Sequence, residues 1–472
     1  MPEPGSSRRE TPFARLGARL ADFCERWFPD AFVFALGAVV VVFALGLAVG
    51  ERPAALAAAF GGSFWSLVPF TMQMALVIIG GFVVASSPPV ARVIAGLAGI
   101  PKTGRGAVAF TAFFAMATSL LSWGLSLVFT GLLVRELTRR VERLDYRAVS
   151  AAAYLGLGSV WAFGLSSSAA LLQATRSSIP ASLLAVTGVL PLSQTIFLWQ
   201  SIVSASILIA VSVGVAWFSA PAPERAKTAA SYGVSFEAVS PEPPPGAKES
   251  RPATPGERLE RSRVPVLLVG ALMAWAIVLE FRSKGGFAAL DLDTFNLIFL
   301  TAGLLLHGRP RSFLAAVSAS VPATAGVLIQ FPFYAGIFGL ISKTAIAGAL
   351  ARTFVAVTTR GTFPVVVAAY SALLGLFVPS GGGKWVIEAP YVMAAANAWR
   401  VHLGWTVQIY NAAEALPNLV NPFWMLPLMG ILRVRARELA GYSVLQLLFH
   451  APIVLFLCWW FAKTIPYLPP VR

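Results

Sequence analysis

The sequence predicts an all-α polytopic membrane protein made of two inverted repeats, each with a re-entrant hairpin and a broken helix. Three observations predict it. Apolar runs of about 20 residues recur along the chain, the length that crosses a bilayer core as a helix. Short basic clusters separate those runs, and each half holds a long apolar stretch interrupted by glycine, serine, asparagine or proline. With 57% hydrophobic and only 12% charged residues over 472 positions, and a mean hydropathy of +0.74, the chain has too little charge to cover a soluble surface.

Backbone N–H and C=O groups in lipid must be bonded internally, which leaves helices or a closed barrel. Barrel strands alternate polar and apolar residues over about ten positions. Ala31–Gly50 shows no alternation, so the spans are helices. The net charge of +15 does not point to nucleic acid, because Lys and Arg sit in short loops without an aromatic-rich basic domain. That distribution sets topology and meets anionic lipid. Cys24 and Cys458 lie near opposite ends, which argues against a disulfide, and no metal-ligand spacing exists.

In order, a basic cytoplasmic segment at 1–30 precedes spans at about 31–50 and 64–86, with a nearly neutral outside loop at Glu51 and Arg52. Arg92, Lys102 and Arg105 mark the cytoplasm again. The apolar stretch 107–134 follows, and Arg135, Arg139, Arg140, Arg143 and Arg147 come at once after it. Basic clusters on both ends of one apolar stretch put both ends inside, so a hairpin turns near Ser122-Trp123-Gly124. A span at 147–175 is broken at Gly164-Leu165-Ser166-Ser167-Ser168, and a span at 195–218 closes the first repeat, 31–218. Residues 219–263, rich in Pro, Glu, Lys, Arg and Ser, cannot bury a core and read as a disordered cytoplasmic linker. The second half, 264–463, holds spans at 264–281, 294–307 and 313–341. A hairpin at 362–399 then turns at Pro379-Ser380-Gly381-Gly382-Gly383 and opens outside. A span at 404–432, broken around Pro417-Asn418-Leu419-Val420-Asn421-Pro422, and one at 441–462 complete it. Short basic apolar stretches, Val90–Ile100 and Thr344–Val357, precede the hairpins and suit the interface. Opposed hairpins and interrupted helices in corresponding places point to a midplane binding site.

Several segments resemble the bacterial short-chain fatty acid transporters. They are Gln73-Met74-Ala75-Leu76, Asn296-Leu297 with Ala302 to His307, and Gln330-Phe331-Pro332-Phe333-Tyr334-Ala335-Gly336. Val378-Pro379-Ser380-Gly381-Gly382-Gly383 with Trp385-Val386-Ile387, and Asn421-Pro422-Phe423-Trp424, belong to the same set. The resemblance implies a multi-pass protein of the bacterial inner membrane, carrying short-chain acids such as acetoacetate or butyrate by an elevator-type alternating access. It places the chain in a wider superfamily of ion-coupled carboxylate carriers, with hairpin tips and broken helices as the site, and implies a homodimer. Lys384 and Glu388 depart from the family pattern, so another organic anion, a dicarboxylate or amino-acid-like one, stays open.

The residues themselves explain how a carboxylate would be met. A charge entering the midplane loses water and must be compensated there. Ser380, Gly381, Gly382 and Gly383 offer exposed N–H groups at a helix start, and glycines allow close backbone approach. The bland alternative is a tight turn between packed helices. Lys384 can pair with the substrate carboxylate or with Glu388, four residues on, or snorkel to the interface. Ser122, Trp123 and Gly124 match the second tip in position, with tryptophan available for an apolar tail or simply as core. Ser166, Ser167, Asn418 and Asn421 sit where helices unwind and suit substrate, or serve as interhelical hydrogen-bond partners. Glu414 lies inside an apolar span, where an acid is protonated, paired or facing water. With Ser168 it is a candidate for coupling to Na⁺ or H⁺, against a structural role beside Lys384 or Asn411. No other cofactor is implied. A membrane-embedded enzyme is disfavoured: His307, His402 and His450 are scattered, and no nucleophile elbow or phosphate loop is present.

Overall fold

A computed structural model describes residues 31–236, 254–285, 289–377 and 380–470. The amino-terminal segment expected at 1–30, linker residues 237–253, and Val378 and Pro379 of the second turn lie outside the described residues. Among the described residues the secondary structure is helical, with no strand, and seven helices are long and apolar enough to cross a membrane.

The first half opens with α1 (Ala31–Ala48), α2 (Pro53–Gly61) and α3 (Val68–Ala85). A short helix, α4 (Pro88–Leu97), leads to the first hairpin, α5 (Gly104–Leu121) and α6 (Trp123–Arg140). Proline in the first turns of α2, α3 and α4 sets φ for a helix start without losing a useful N–H. Ser122 alone separates the arms of the hairpin. Its hydroxyl accepts from Leu125 N–H and caps α6. Ser126 on α6 donates back to Ala115 O on α5 at 2.7 Å. A Cβ added to Gly104 would lie 3.1 Å from Arg143 O, so the two ends of the hairpin stand side by side. By length and apolarity Gly104–Leu121 is itself long enough to cross a bilayer.

The first broken helix starts as α7 (Tyr146–Leu155), capped by Asp145, whose side chain accepts from Ala148 N–H at 2.9 Å. It continues as a π-helical turn, Gly156–Val160, and a 3-10 turn, Trp161–Phe163, before resuming as α8 (Ser168–Ala174). The helical hydrogen bonding is therefore already altered from Gly156, earlier than the Gly164-to-Ser168 break expected from sequence. The reason is steric. A Cβ on Gly156 would come within 2.2 Å of Ala115 O, so only glycine lets the hairpin press on the helix there. A short α9 (Ala181–Thr187), not expected, precedes α10 (Trp199–Ser219), which starts later than the predicted 195.

The second half contains α11 (Pro255–Arg261), α12 (Val264–Lys284), α13 (Leu292–His307), α14 (Pro310–Ser320) and α15 (Ala325–Ser342). A 3-10 turn holding Pro322 divides the span expected at 313–341. The helix α16 (Ile346–Val357) leads to the second hairpin, α17 (Phe363–Phe377) and α18 (Gly381–Trp399). The second broken helix runs from α19 (Leu403–Asn418) through Leu419 to Asn421 and a 3-10 turn at Pro422–Met425 into α20 (Leu426–Leu432). The chain closes with α21 (Ala436–Ala462). Gly381, Gly382 and Gly383 form the first turn of α18 rather than a loop, with Ser380 as the cap.

The two halves share an order of elements and a pattern of neighbours. In the first, α3 and α4 pack on α6, while α7 and α10 pack on α5. In the second, α15 and α16 pack on α18, while α19 and α21 pack on α17. The first broken helix is the centre of the molecule: 94% of its apolar window is buried, against 11% for α12, which presents its apolar surface outward.

The linker needs one correction. Residues 220–236 do not hang free but fold back on the body. Tyr146 N–H donates to Lys227 O at 2.7 Å, Lys227 N–H donates to Asp145 Oδ2 at 3.0 Å, and Ala229 is buried. Phe236 lies 4.8 Å from the Arg135 guanidinium and 6.0 Å from that of Arg433. Cation–π contact with arginines from both halves supplies a foothold that composition alone does not reveal.

Candidate functional site

The unwound stretch of the first broken helix touches every other irregular feature. On one side it meets the first tip, where Leu165 N–H donates to Leu120 O at 2.7 Å and Trp123 N–H donates to Ser166 Oγ at 3.0 Å. On another it meets the second tip. A Cβ on Gly381 would strike the Trp161 ring at 2.4 Å, and one on Gly382 would meet Phe70 at 2.8 Å and Ser168 Cβ at 3.2 Å. On a third it meets the second break, where Tyr154 donates to Asn418 O at 2.8 Å and Leu419 packs on Gly158. Trp123 of the first tip lies 5.6 Å, ring to ring, from Trp424 just past the second break.

Hence Ser122, Trp123, Gly124, Ser166, Ser167, Ser168, Ser380, Gly381, Gly382, Gly383, Asn418 and Asn421, far apart in sequence, belong to one neighbourhood. All are buried. Both second arms, α6 and α18, start there with a serine cap, so the amino ends of two long helices face one region. Their first N–H groups have no intrahelical acceptor, and the helix dipole makes each end positive. At Trp123 that N–H is already taken by Ser166.

Some buried polar atoms of this neighbourhood lack a partner: Ser167 Oγ, both side-chain atoms of Asn418, and the indole nitrogens of Trp161 and Trp385. Buried polar groups are normally hydrogen-bonded, and leaving one unpaired costs about 1–3 kcal/mol.

Beyond the second tip lies a charged cluster. Lys384 pairs with Glu414 Oε2 at 2.6 Å and with Glu388 Oε1 at 3.3 Å, and all three side chains are fully buried. Lys384 also donates to Ser371 O at 2.6 Å, Ser371 donates to Glu388 Oε2, and the ammonium stands 4.6 Å over the Tyr410 ring. Tyr410 in turn donates to Gly381 O at 2.5 Å and packs against Trp385, the rings tilted by 52°. Of the partners considered for Lys384, the two glutamates hold it here. Sequence reasoning missed Ser371, Tyr410 and Gly375. A Cβ on Gly375 would lie 3.1 Å from Glu414 Oε2 and 3.5 Å from Lys384 Nζ. No local pattern marks Ser371 or Gly375, because their roles arise only when α17 packs on α18 and α19.

At the basic end of the molecule, a crevice of about 280 Å³ is lined by Phe82, Val128, Leu132, Arg135, Ile431 and Arg433, among others.

Comparison with known proteins adds to this geometry. The family model of the short chain fatty acid transporter matches residues 13–461. An Escherichia coli K12 protein with the provisional name of short-chain fatty acid transporter is 36% identical over 440 residues, covering 93% of this chain and 98% of the relative. A Haemophilus influenzae protein with the same provisional name is 31% identical over 446 residues, covering 93% and 98%. Among solved structures, the Alcanivorax borkumensis YdaH transporter, described as having an unusual topology, aligns at TM-score 0.56 and 14% identity. That alignment covers 93% of this chain and all of the other. Neisseria gonorrhoeae MtrF, from a class of antimetabolite efflux pumps, aligns at TM-score 0.54 and 14% identity, covering 94% and 97%. At that identity the two structures speak for the fold alone. The chain is a multi-pass membrane protein, a transporter rather than an enzyme, and it belongs to the short-chain fatty acid transporter family.

Proposed function

We propose that this protein is a secondary active transporter of short-chain monocarboxylates in a bacterial inner membrane. The carboxylate binds where the two hairpin tips meet the two broken helices. The single observation that supports this reading is the pair of buried side chains without a hydrogen-bond partner at the two breaks: Ser167, next to the Ser168 that faces Gly382 of α18, and Asn418, whose carbonyl accepts from Tyr154. A carboxylate accepts hydrogen bonds from Asn418 Nδ2, the Ser167 hydroxyl and the free amides of Gly381 and Gly382, and the dipole of α18 favours its charge. Phe70, Trp161 and Tyr334, which press on the tip glycines, offer apolar faces to a short tail.

Alternating access of the elevator type follows from the hairpins and broken helices moving as a unit, with their tips as the two doors. Glu414 is the group that couples the cycle to an ion. Ser168, against Gly382, lies at the seam between the first broken helix and the second tip. Two copies of the chain assemble as a dimer, with the moving units carried independently.

Uptake of labelled butyrate and acetoacetate into proteoliposomes, with protein-free vesicles subtracted, tests the reading. Saturable uptake is expected, and dicarboxylates in the same panel should compete weakly. Ser167→Ala and Asn418→Ala should each raise KM roughly five- to tenfold, the equivalent of about one hydrogen bond, without lowering thermal stability. Flux that never saturates, or no flux for any acid, would sink the assignment.

A further inference from the structure

The shell around Lys384 Nζ has the make-up of a cation site. Two carboxylates and a main-chain carbonyl approach it, from Glu414 at 2.6 Å, Glu388 at 3.3 Å and Ser371 at 2.6 Å. The face of Tyr410 closes one side. Oxygen donors of this kind suit hard cations, yet here the positive charge is covalently attached to α18. Gly375 opposite keeps the space: a Cβ there would strike Pro417 at 2.6 Å and crowd Glu414 Oε2 at 3.1 Å.

The charge count is incomplete. Two carboxylates face one ammonium, and all three groups are fully buried. Among the described residues, the other titratable side chains around the cluster are tyrosines: Tyr334 on α15, Tyr370 on α17, Tyr391 on α18 and Tyr410 on α19. None supplies a second positive charge. An uncompensated buried charge is expensive, and one proton on either glutamate makes the cluster neutral.

Resting on the transporter reading above, we propose that Lys384 occupies the place of an inorganic cation and that Glu388 and Glu414 share one exchangeable proton, so that transport is coupled to H⁺ and independent of Na⁺. The proton joins a carboxylate oxygen from the outside solution, the substrate anion binds at the second tip, and both leave inside. One H⁺ travels with one RCOO⁻, and the cycle moves no net charge. Tyr410 links the parts: its ring lies beneath the ammonium and its hydroxyl holds Gly381 O, on the turn that receives the substrate.

Proteoliposomes of the full-length chain decide this through initial rates of labelled acetoacetate, with protein-free vesicles subtracted. An inward gradient of about one pH unit should raise the driving ratio about tenfold. Replacing all Na⁺ by choline should change nothing, and a valinomycin-clamped K⁺ potential of either sign should change nothing. A requirement for Na⁺, or a response to the potential, overturns the proposal while leaving the transporter reading intact. No uptake of any acid under any gradient instead removes the transporter reading. Lys384→Ala should make uptake depend on Na⁺, because it leaves two carboxylates and a carbonyl around an empty position. Lys384→Ala uptake that stays independent of Na⁺ would count against the proposal. If this variant fails to fold, Glu414→Gln gives a second reading. It should retain substrate counterflow and lose the acceleration by the pH gradient, and an unchanged gradient response would refute the role given to the pair.

Discussion

The two hairpin tips are built alike and charged differently. Each second arm begins at a serine cap, Ser122 or Ser380, and the fourth residue after it reaches back to a carbonyl of the first arm. In the first hairpin that residue is Ser126, donating to Ala115 O; in the second it is Lys384, donating to Ser371 O. Four residues further on stand Thr130, bonded to Ser126 O and Ala153 O, and Glu388. The same scaffold therefore carries neutral hydroxyls on one side and a buried ion cluster on the other. The two hairpins share a shape, and the buried charge beside a tip is confined to one of them.

The glycines at the tips give the largest way to break this comparison. Gly382→Leu should cut uptake by about 100-fold or more, since even its Cβ meets Phe70 at 2.8 Å and small displacements at a reacting or binding centre are costly. Gly124→Ala should stay within about twofold of wild type, because its nearest neighbour, Ile78 O, is at an ordinary 3.6 Å. Equal losses at the two tips, measured as uptake per folded protein, would erase the functional difference between them.

A stability comparison comes next in size. Lys384→Met should lower unfolding free energy by about 3–5 kcal/mol, because it strands the buried carboxylate charge that the ammonium compensates. Ser126→Ala should cost about 1 kcal/mol, the worth of one hydrogen bond. Thermal unfolding in detergent at a fixed pH reads both, and near-equal shifts would mean that the ion cluster carries no more than a neutral contact does.

The smallest effect concerns sidedness. Single cysteines near Gly104 and Arg143, at the two ends of the first hairpin, should both label from the cytoplasm. Cysteines at Thr362 and Arg400, flanking the second, should both label from outside. Labelling of one pair from opposite faces would replace that hairpin by a single through-going span.

Much of this was legible in the sequence because bilayers impose length and charge rules. The basic residues on both flanks of 107–134 pointed to a hairpin, and the arms do lie antiparallel with adjacent ends. The tip and break residues were visible as polar or small positions inside apolar runs, and the structure brings them together. The start of the first break was not visible. Gly156 and Gly158 look like ordinary small residues of a membrane helix until Ala115 O is seen against the first and Leu419 against the second. The i,i+4 spacing announced Lys384 with Glu388, and of the two neighbours named for a structural Glu414, Lys384 or Asn411, packing of α18 on α19 supplies Lys384. The docking of residues 220–236 was hidden for the same reason: Asp145 serves both as a helix cap and as the acceptor for Lys227 N–H, and composition records neither duty.

Phe236 carries a consequence of its own. Its ring lies between a guanidinium from the first half and one from the second, so the connecting strand is fastened to both before it crosses over. Two separately expressed fragments divided downstream of that ring would keep a matching stud and socket, and should reassemble when made together. A cut upstream of it would part the stud from the first fragment and leave the joint to helix packing alone.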